Sequence, residues 1–467
     1  MSLLQPGGPL LRLYNRVPPG VRAWLASAYG LKTWRLRYGG SFSRHLAEFR
    51  ERDGWSADRL GEWQDARLRD LLRHAVAHVP HYRRLHARGG FPIEEVRTAA
   101  DLSRLPVLEK DEIRRNPDDF LASTPKRLHQ LFTSGTTGTP LKLYRSTETN
   151  RAWYACFERR AREWSGVHRG DRLASLGGQL VVPFECDRPP FWVWNAPARQ
   201  LYMSVYHLSP RFLDSYLDEI VSRRIVHMYG YASAMDALAS HALDTGRRDV
   251  RLVVATSNAE PLFDHQRDRI GRAFGCDVRD TYGNTELSVA AFECEEHRMH
   301  LSMEVGVVEV LAEDARPCAP GEVGDLVCTC LLNFDQVFIR YRHGDRGSTL
   351  PESPCRCGRK APALQSIDGR RDDVLVTPDG RRIGRLDPVF KGGMRLREAQ
   401  IVQLATDEIQ VRVVPAPGYS DEDATMIASR LRDRMGPVKV EVVQVKELER
   451  TSNGKLRGVI SLLGKTG

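Results

Sequence analysis

Ten consecutive residues, Thr133 to Lys142 (TSGTTGTPLK), set five hydroxyl side chains around two glycines and end on a lysine. Gly135 and Gly138 let the backbone approach a ligand closely. Amide N–H groups and the hydroxyls of Thr133, Ser134, Thr136, Thr137 and Thr139 can then converge on an anion, with Lys142 adding a point charge. By composition this is a phosphate cradle. It is not a Walker loop, because Thr139 and Pro140 stand where that motif needs a Lys-Ser/Thr pair. A second group of residues suits a metal. Cys294, His300, Cys355 and Cys357 supply three thiols and an imidazole, a donor set for tetrahedral zinc, with His297 as a competing nitrogen ligand. Cys328 and Cys330 also form a C-x-C pair, but inside a strand pattern, and read as core.

The elements that must carry these residues can be read from apolar spacing. Residues 58–79 place Leu60, Trp63, Leu68, Leu71, Leu72, Ala75 and Val76 at helical intervals, and Pro80 stops them. Ser209 and Pro210 look like the start of another helix, with Phe212, Tyr216, Leu217 and Ile220 on one face. Apolar β-branched runs at Leu252–Ala255, Gly306–Leu311, Asp325–Leu331 and Gln336–Tyr341 read as strands. Helices mixed with short strands over this length predict a large α/β domain. Composition shifts at DGRRDD, Asp368 to Asp373, and again at Pro378-Asp379-Gly380. Beyond lie a strand at Ile409–Val414, a helix from Ser420 to Arg434 ended by Gly436, and a strand at Val438–Val445. The expected division is a large domain, residues 1–371, and a small α+β domain, residues 372–467, with the boundary at Asp372.

The 467 residues carry a net charge of +9, from 69 Lys and Arg against 60 Asp and Glu, and the excess is scattered rather than gathered in a tail. With no helix-turn-helix, RNP-type or zinc-finger spacing, a nucleic-acid partner is not expected; an Arg-rich surface suits polyanionic ligands equally well. No apolar run approaches the ~20 residues of a membrane span. The first thirty residues are interrupted by Pro6, Pro9, Arg12, Arg16, Pro18 and Pro19, which argues against a signal peptide. Nine cysteines without a secretion signal point to a reducing, cytoplasmic setting.

Three later segments, TYGNTE (Thr281–Glu286), YRHGD (Tyr341–Asp345) and NGKLR (Asn453–Arg457), follow the threonine loop in order. Together the four resemble the adenylate-forming superfamily of acyl-CoA synthetases and adenylation domains, in its phenylacetate–CoA ligase branch and nearest there to capsular-polysaccharide-biosynthesis proteins. The resemblance runs from about Trp63 to the C-terminus. It implies an enzyme that activates a carboxylic acid with ATP and Mg²⁺ and passes the acyl group to a thiol, most readily coenzyme A. An amine acceptor is the alternative, and a non-catalytic nucleotide- or zinc-binding scaffold a further one.

Site roles follow from the same resemblance. The threonine loop would wrap the β- and γ-phosphates, and Ser257, Asn258, Ala259 and Glu260 would lie against adenine. Tyr282 would stack on it while Gly283 lets the backbone approach. Thr285 would contact the α-phosphate, and Glu286 would hold Mg²⁺. Asp345 would bind both ribose hydroxyls, with Arg370 a second ribose contact. Lys455 would reach the carboxylate and α-phosphate in the transition state. Members of the branch can carry a similar Cys/His set, and their pattern favours His300 over His297 in a structural zinc site. The chain departs from the family at His343, where Thr is usual, so no role for His343 follows. An aromatic-rich stretch with Phe184, Phe191, Trp192, Trp194, Tyr202 and Tyr206, together with Tyr229-Gly230-Tyr231, is a candidate acyl pocket. Neither the acid nor the oligomeric state can be read from these residues.

Overall fold

The computed structural model describes Tyr14 and residues 17–123, 127–133, 141–179, 181–183, 186–370, 375–378, 382–383, 386–390, 395–451 and 456–463. By its contacts the chain divides into two units of interleaved segments. Met1–Asp171, Val193–Leu201 and Arg279–Ser366 make the first; Arg172–Trp192, Tyr202–Val278 and Ile367–Gly467 make the second.

In the first unit the expected amphipathic helix spans Ala57–His78, capped where Ser56 accepts the Arg59 N–H. It buries Leu68, Leu71, Leu72 and Ala75 against Tyr82, Phe91, Phe120, Phe338 and Tyr341. The sheet beside it runs Gly306–Leu311, Gly324–Cys330, Tyr341–Thr349, Ala363–Arg370, Met299–Leu301, Ala290–Glu293 and Asp277–Gly283 as neighbours. Cys328 and Cys330 are fully buried in it, as the strand pattern predicted.

One expected strand is displaced. Gln336–Tyr341 does not run as a strand; the strand begins at Tyr341 and continues to Thr349. Arg340 lies at φ 49°, which an extended chain cannot hold, and Gln336 makes only an isolated bridge to Leu121. The apolar run is still core, because Val337, Phe338 and Ile339 are buried to within 1%. Its apolar character signalled burial rather than pairing.

In the second unit Leu173–Gly177, His227–Gly230 and Val254–Asn258 are parallel neighbours. The helices Leu213–Ser222, Ala232–Asp244 and Asp264–Phe274 follow them in the α/β manner. Gly230 is required where it stands: a Cβ there would lie 2.0 Å from the Leu176 carbonyl oxygen. The helix expected from Ser209 starts instead at Leu213, after a turn in which the Phe212 N–H bonds the Ser209 carbonyl at 2.9 Å. The end of the chain has a four-stranded sheet in the order Lys439–Gln444, Glu408–Pro415, Leu396–Ala405, Val459–Ser461. Ser420 and Asp423 cap its helix, Asp421–Met435, reciprocally, and Gly436 at φ 84° ends it. A core drawn from Leu375 through Val438, with Ile401, Ile409, Val411 and Leu431 fully buried, belongs to this part alone. The boundary expected at Asp372 lies outside the described residues. Among the described residues no helix is long and apolar enough to cross a membrane.

Tyr82 ties the helical layer to the irregular segment that replaces the expected strand. Its hydroxyl accepts the Ile339 N–H at 3.0 Å and donates to the Val337 carbonyl at 3.3 Å. Tyr82→Phe leaves both backbone groups buried without that partner, and should lower the unfolding free energy by about 1–3 kcal/mol. Urea unfolding of the variant tests this; an unchanged midpoint would refute it.

Candidate active site

The threonine loop follows one strand and precedes another, and those two strands pair. Leu128–Phe132 and Lys142–Ser146 pair antiparallel with Phe132 opposite Lys142. Thr133 closes the mouth: its N–H bonds the Leu141 carbonyl at 3.0 Å and its Oγ1 accepts the Leu141 N–H at 2.8 Å. Ser134, Gly135, Thr136, Thr137 and Gly138 lie outside the described residues. Lys142 has its Nζ 5.0 Å from the Tyr144 ring centroid and 3.9 Å from Asp118 Oδ1.

What holds this strand pair was not foreseen. Asn333, Asp335 and Gln336, all buried, grip its second strand. Asp335 Oδ2 accepts the Ser146 N–H and the Thr149 hydroxyl, each at 2.8 Å. Gln336 Oε1 accepts the Tyr144 N–H at 2.9 Å, and Asn333 Nδ2 donates to the Tyr144 carbonyl at 3.0 Å. The signal was three amide or carboxylate side chains within four residues, flanked by apolar runs (Leu331–Leu332 and Val337–Ile339) that promise burial.

TYGNTE and YRHGD meet in the first unit. The Tyr282 hydroxyl donates to Asp345 Oδ2 at 2.9 Å, and His343 Nδ1 lies 3.5 Å from the same oxygen. The Tyr341 hydroxyl donates to Glu286 Oε1 at 3.0 Å, with Lys110 Nζ 3.9 Å from that atom. Burial and the adjacent carboxylates push both phenols well above their ordinary pKa, so each keeps its proton and donates. Asn284 folds the turn between, taking the Ser288 N–H at 3.0 Å and donating to the Ser288 hydroxyl at 2.8 Å. Gly283 and Thr285 are exposed, whereas Glu286 is buried. Burial pulls the His343 imidazole down, but Cys328 and Asp345 outweigh it and raise its pKa to about 10.

In the second unit Ser257 and Asn258 end the strand Val254–Asn258, and Ala259 turns the chain at φ 62°. Asn258 Nδ2 donates to the Tyr229 hydroxyl at 2.9 Å. Glu260 spends both carboxylate oxygens on backbone, accepting the Ser233 N–H at 3.0 Å and the Leu456 N–H at 2.8 Å. Lys455 lies outside the described residues. Arg370 ends its strand, Ala363–Arg370, and its side chain is likewise outside the described part. Of the aromatic stretch, Phe191 is fully buried between His207, Phe212 and Tyr216, which is core packing rather than a pocket wall. Phe184 is not among the described residues.

Cys294, His300, Cys355 and Cys357 come together, with ligand atoms all within 4.8 Å of one another. Cys294 Sγ is 3.7 Å from Cys355 Sγ, and Cys357 Sγ is 3.4 Å from His300 Nε2. Zinc–sulfur bonds of ~2.3 Å set tetrahedral edges near ~3.8 Å, so the donors fit the ion. His300 Nδ1 donates to the Ala361 carbonyl at 2.8 Å, which turns the Nε2 lone pair towards the thiols. His297 is elsewhere, at φ 54°, 44% exposed and 3.5 Å from Glu293.

An AMP-binding enzyme family model matches residues 87–330, and a CapK C-terminal domain model matches residues 375–462. Protein CapK of Staphylococcus aureus is 25% identical over 426 residues, 90% of this chain and 91% of its own. The phenylacetate-coenzyme A ligase of Thermus thermophilus is 25% identical over 442 residues, 87% of this chain and 97% of its own. The crystal structure of 2-hydroxyisobutyryl-CoA ligase in the postadenylation state, in complex with R3-HIB-AMP, shares the fold. Its TM-score is 0.71 at 23% identity, covering 89% of this chain and 92% of that one.

The His343 environment yields a pH test. A histidine whose pKa is raised by folding stabilises the fold fully below its unfolded value, about 6.5, and loses that contribution as pH climbs towards about 10. The difference in unfolding free energy between wild type and His343→Gln should therefore be largest near about pH 6 and shrink steadily to about pH 10. A difference that is flat or grows with pH would show a neutral imidazole.

Proposed function

The chain belongs to the AMP-binding enzyme family, and on that premise we propose that it joins a carboxylic acid to coenzyme A through an acyl-adenylate. The observation that carries the reading is the meeting of TYGNTE and YRHGD through the Tyr282–Asp345 and Tyr341–Glu286 hydrogen bonds. A ribose and a phosphate-bound cation need carboxylates held at fixed places, and two phenols hold these two.

A carboxylate is a poor electrophile because its charge is delocalised. In the reaction proposed, the acid's oxygen attacks the α-phosphorus of ATP, the bond to pyrophosphate breaks, and acyl-AMP forms. The thiol sulfur then attacks the acyl carbon and AMP leaves. The threonine loop, Thr133–Lys142, holds the outer phosphates by backbone N–H groups and hydroxyls, with Lys142 as a point charge. Ser257, Asn258, Ala259, Tyr282 and Gly283 bind the adenine face. Asp345, with Arg370, binds the ribose. Glu286 is the hard oxygen donor for Mg²⁺, and Thr285 serves the α-phosphate. Lys455, carried by a small domain that begins at Asp372, neutralises charge between the reacting oxygen and the α-phosphate. Zinc bound by Cys294, His300, Cys355 and Cys357 is structural, because four protein donors leave no open position. Such thiolates, together with ATP and coenzyme A, suit the cytoplasm.

Acid-dependent exchange of labelled pyrophosphate into ATP, screened over aryl, fatty, hydroxy and amino acids, tests the reading. Lys455→Ala should depress exchange by about 10²–10³-fold. Wild-type exchange by this variant would assign the charge to another residue. Thioester formation with coenzyme A is the expected second product; an amide formed from a supplied amine, with no thioester, would overturn the choice of acceptor.

Purified protein should hold one zinc ion per chain. Cys355→Ser together with Cys357→Ser should release it and lower the thermal midpoint, with less effect on pyrophosphate exchange. Zinc-free wild-type protein, prepared without chelators, would refute the metal site.

A further inference from the structure

Glu260 is 8% exposed and directs its carboxylate at two backbone N–H groups far apart in sequence. One belongs to Ser233, in the first turn of helix Ala232–Asp244, whose N-cap residue Tyr231 makes no side-chain cap. A carboxylate there meets both an orphan donor and the positive end of the helix. The other belongs to Leu456, the residue that follows Lys455.

The same helix end takes a second tie. Arg450 donates from Nη1 to the Ser233 hydroxyl at 3.0 Å, and its other terminal nitrogen bonds Glu398. Arg450 and Leu456 are themselves an antiparallel bridge pair. The two residues of this bridge are thus both fastened at one helix N-terminus. The bonds just after Leu456, Gln400 Nε2 to the Arg457 carbonyl and Ile401 N–H to the Gly458 carbonyl, each 2.9 Å, come from within residues 375–462. Glu260 reaches in from nearly two hundred residues upstream.

We propose that Glu260 is a positioning residue for Lys455, its carboxylate pinning the N–H of the next residue, Leu456, during acyl-adenylate formation. This rests on the reading of Lys455 given above. A carboxylate suits the task because it accepts two charge-assisted bonds at once, whereas an amide in its place would turn a donor towards one N–H. Burial holds the Glu260 carboxyl above its ordinary range, against the opposing pull of its bonds to Ser233 and Leu456 and of Arg450. Once the acyl-adenylate exists the lysine has finished its work, so the tie is not needed for transfer to the thiol.

The test compares single-turnover acyl-AMP formation with thioester formation from presynthesised acyl-AMP. It uses wild type, Glu260→Gln, Lys455→Ala and the double variant. Glu260→Gln should slow adenylation at least about tenfold while transfer stays within about twofold. In the Lys455→Ala background the same substitution should add nothing, because the group it positions is gone. Glu260→Asp should show the same split at smaller size, which serves if Glu260→Gln folds poorly. Equal losses in both half-reactions would mean a merely structural carboxylate. A raised KM for ATP, or an undiminished effect in the double variant, would mean a nucleotide contact. Either result overturns the proposal. Wild-type protein that adenylates while Glu260→Gln matches it refutes the positioning role alone; wild-type protein that adenylates no acid refutes the underlying reading as well.

Discussion

The first unit is organised by a carboxylate held in place by a phenol and an imidazole. Asp345 lies on the strand Tyr341–Thr349 and is held by the Tyr282 hydroxyl, with the His343 ring beside it. Tyr341, at the start of that strand, does the same for Glu286. The opposite charges of the strand go to other partners: Arg342 and Arg346 each approach Asp325, and Arg342 also reaches Glu109. Each carboxylate therefore has one neutral phenol donor and one basic side chain beside it, His343 at Asp345 and Lys110 at Glu286.

That arrangement depends on an irregular step in the strand. Val327 stands opposite Arg342 and Asp325 opposite Arg346, so the neighbour advances two residues while this strand advances four. Gly344, at φ 100°, lies in the excess. A side chain there would strain the backbone, and a regular strand would carry His343 and Asp345 out of step with Tyr282. His343 replaces the usual threonine in this setting. Its imidazole brings a positive charge next to Asp345, and adds to the hydroxyl of Tyr282 rather than replacing it.

Elsewhere too, polar side chains distant in sequence fasten the chain beside the motifs. Asn333, Asp335 and Gln336 hold the strand that follows the threonine loop. Glu260 bonds Leu456, the residue after Lys455, and Arg450 bonds Ser233 on the same helix end. Cys294, His300, Cys355 and Cys357 hold two loops of the first unit together, with Trp164 edge-on to His300 and the Arg359 guanidinium 4.0 Å from the Trp164 ring. Asn333, Asp335, Gln336, Glu260, Cys294, His300 and Cys355 are buried, where a hydrogen bond is stronger than in water.

Local chemistry made much of this legible from residues alone. Helix Ala57–His78 was evident because its apolar period is strict and Pro80 forbids continuation; the helix capped by Ser420 and ended by Gly436 was evident for similar reasons. The four Cys and His residues were recognisable because few roles besides metal binding need three thiols and an imidazole in such positions. The sequence also marked Tyr282, Glu286, Tyr341 and Asp345 as important, because their order and spacing match a known pattern. It did not show that they bond one another, since a side-chain contact across about sixty residues depends on strand register and on one bulge. Burial without pairing at Val337–Ile339, the grip of Asn333, Asp335 and Gln336, and the use of Glu260 on two distant N–H groups were likewise settled only by the tertiary structure. Periodicity reports which face is apolar, and motifs report which atoms are present. Which donor meets which acceptor is decided by where the chain returns.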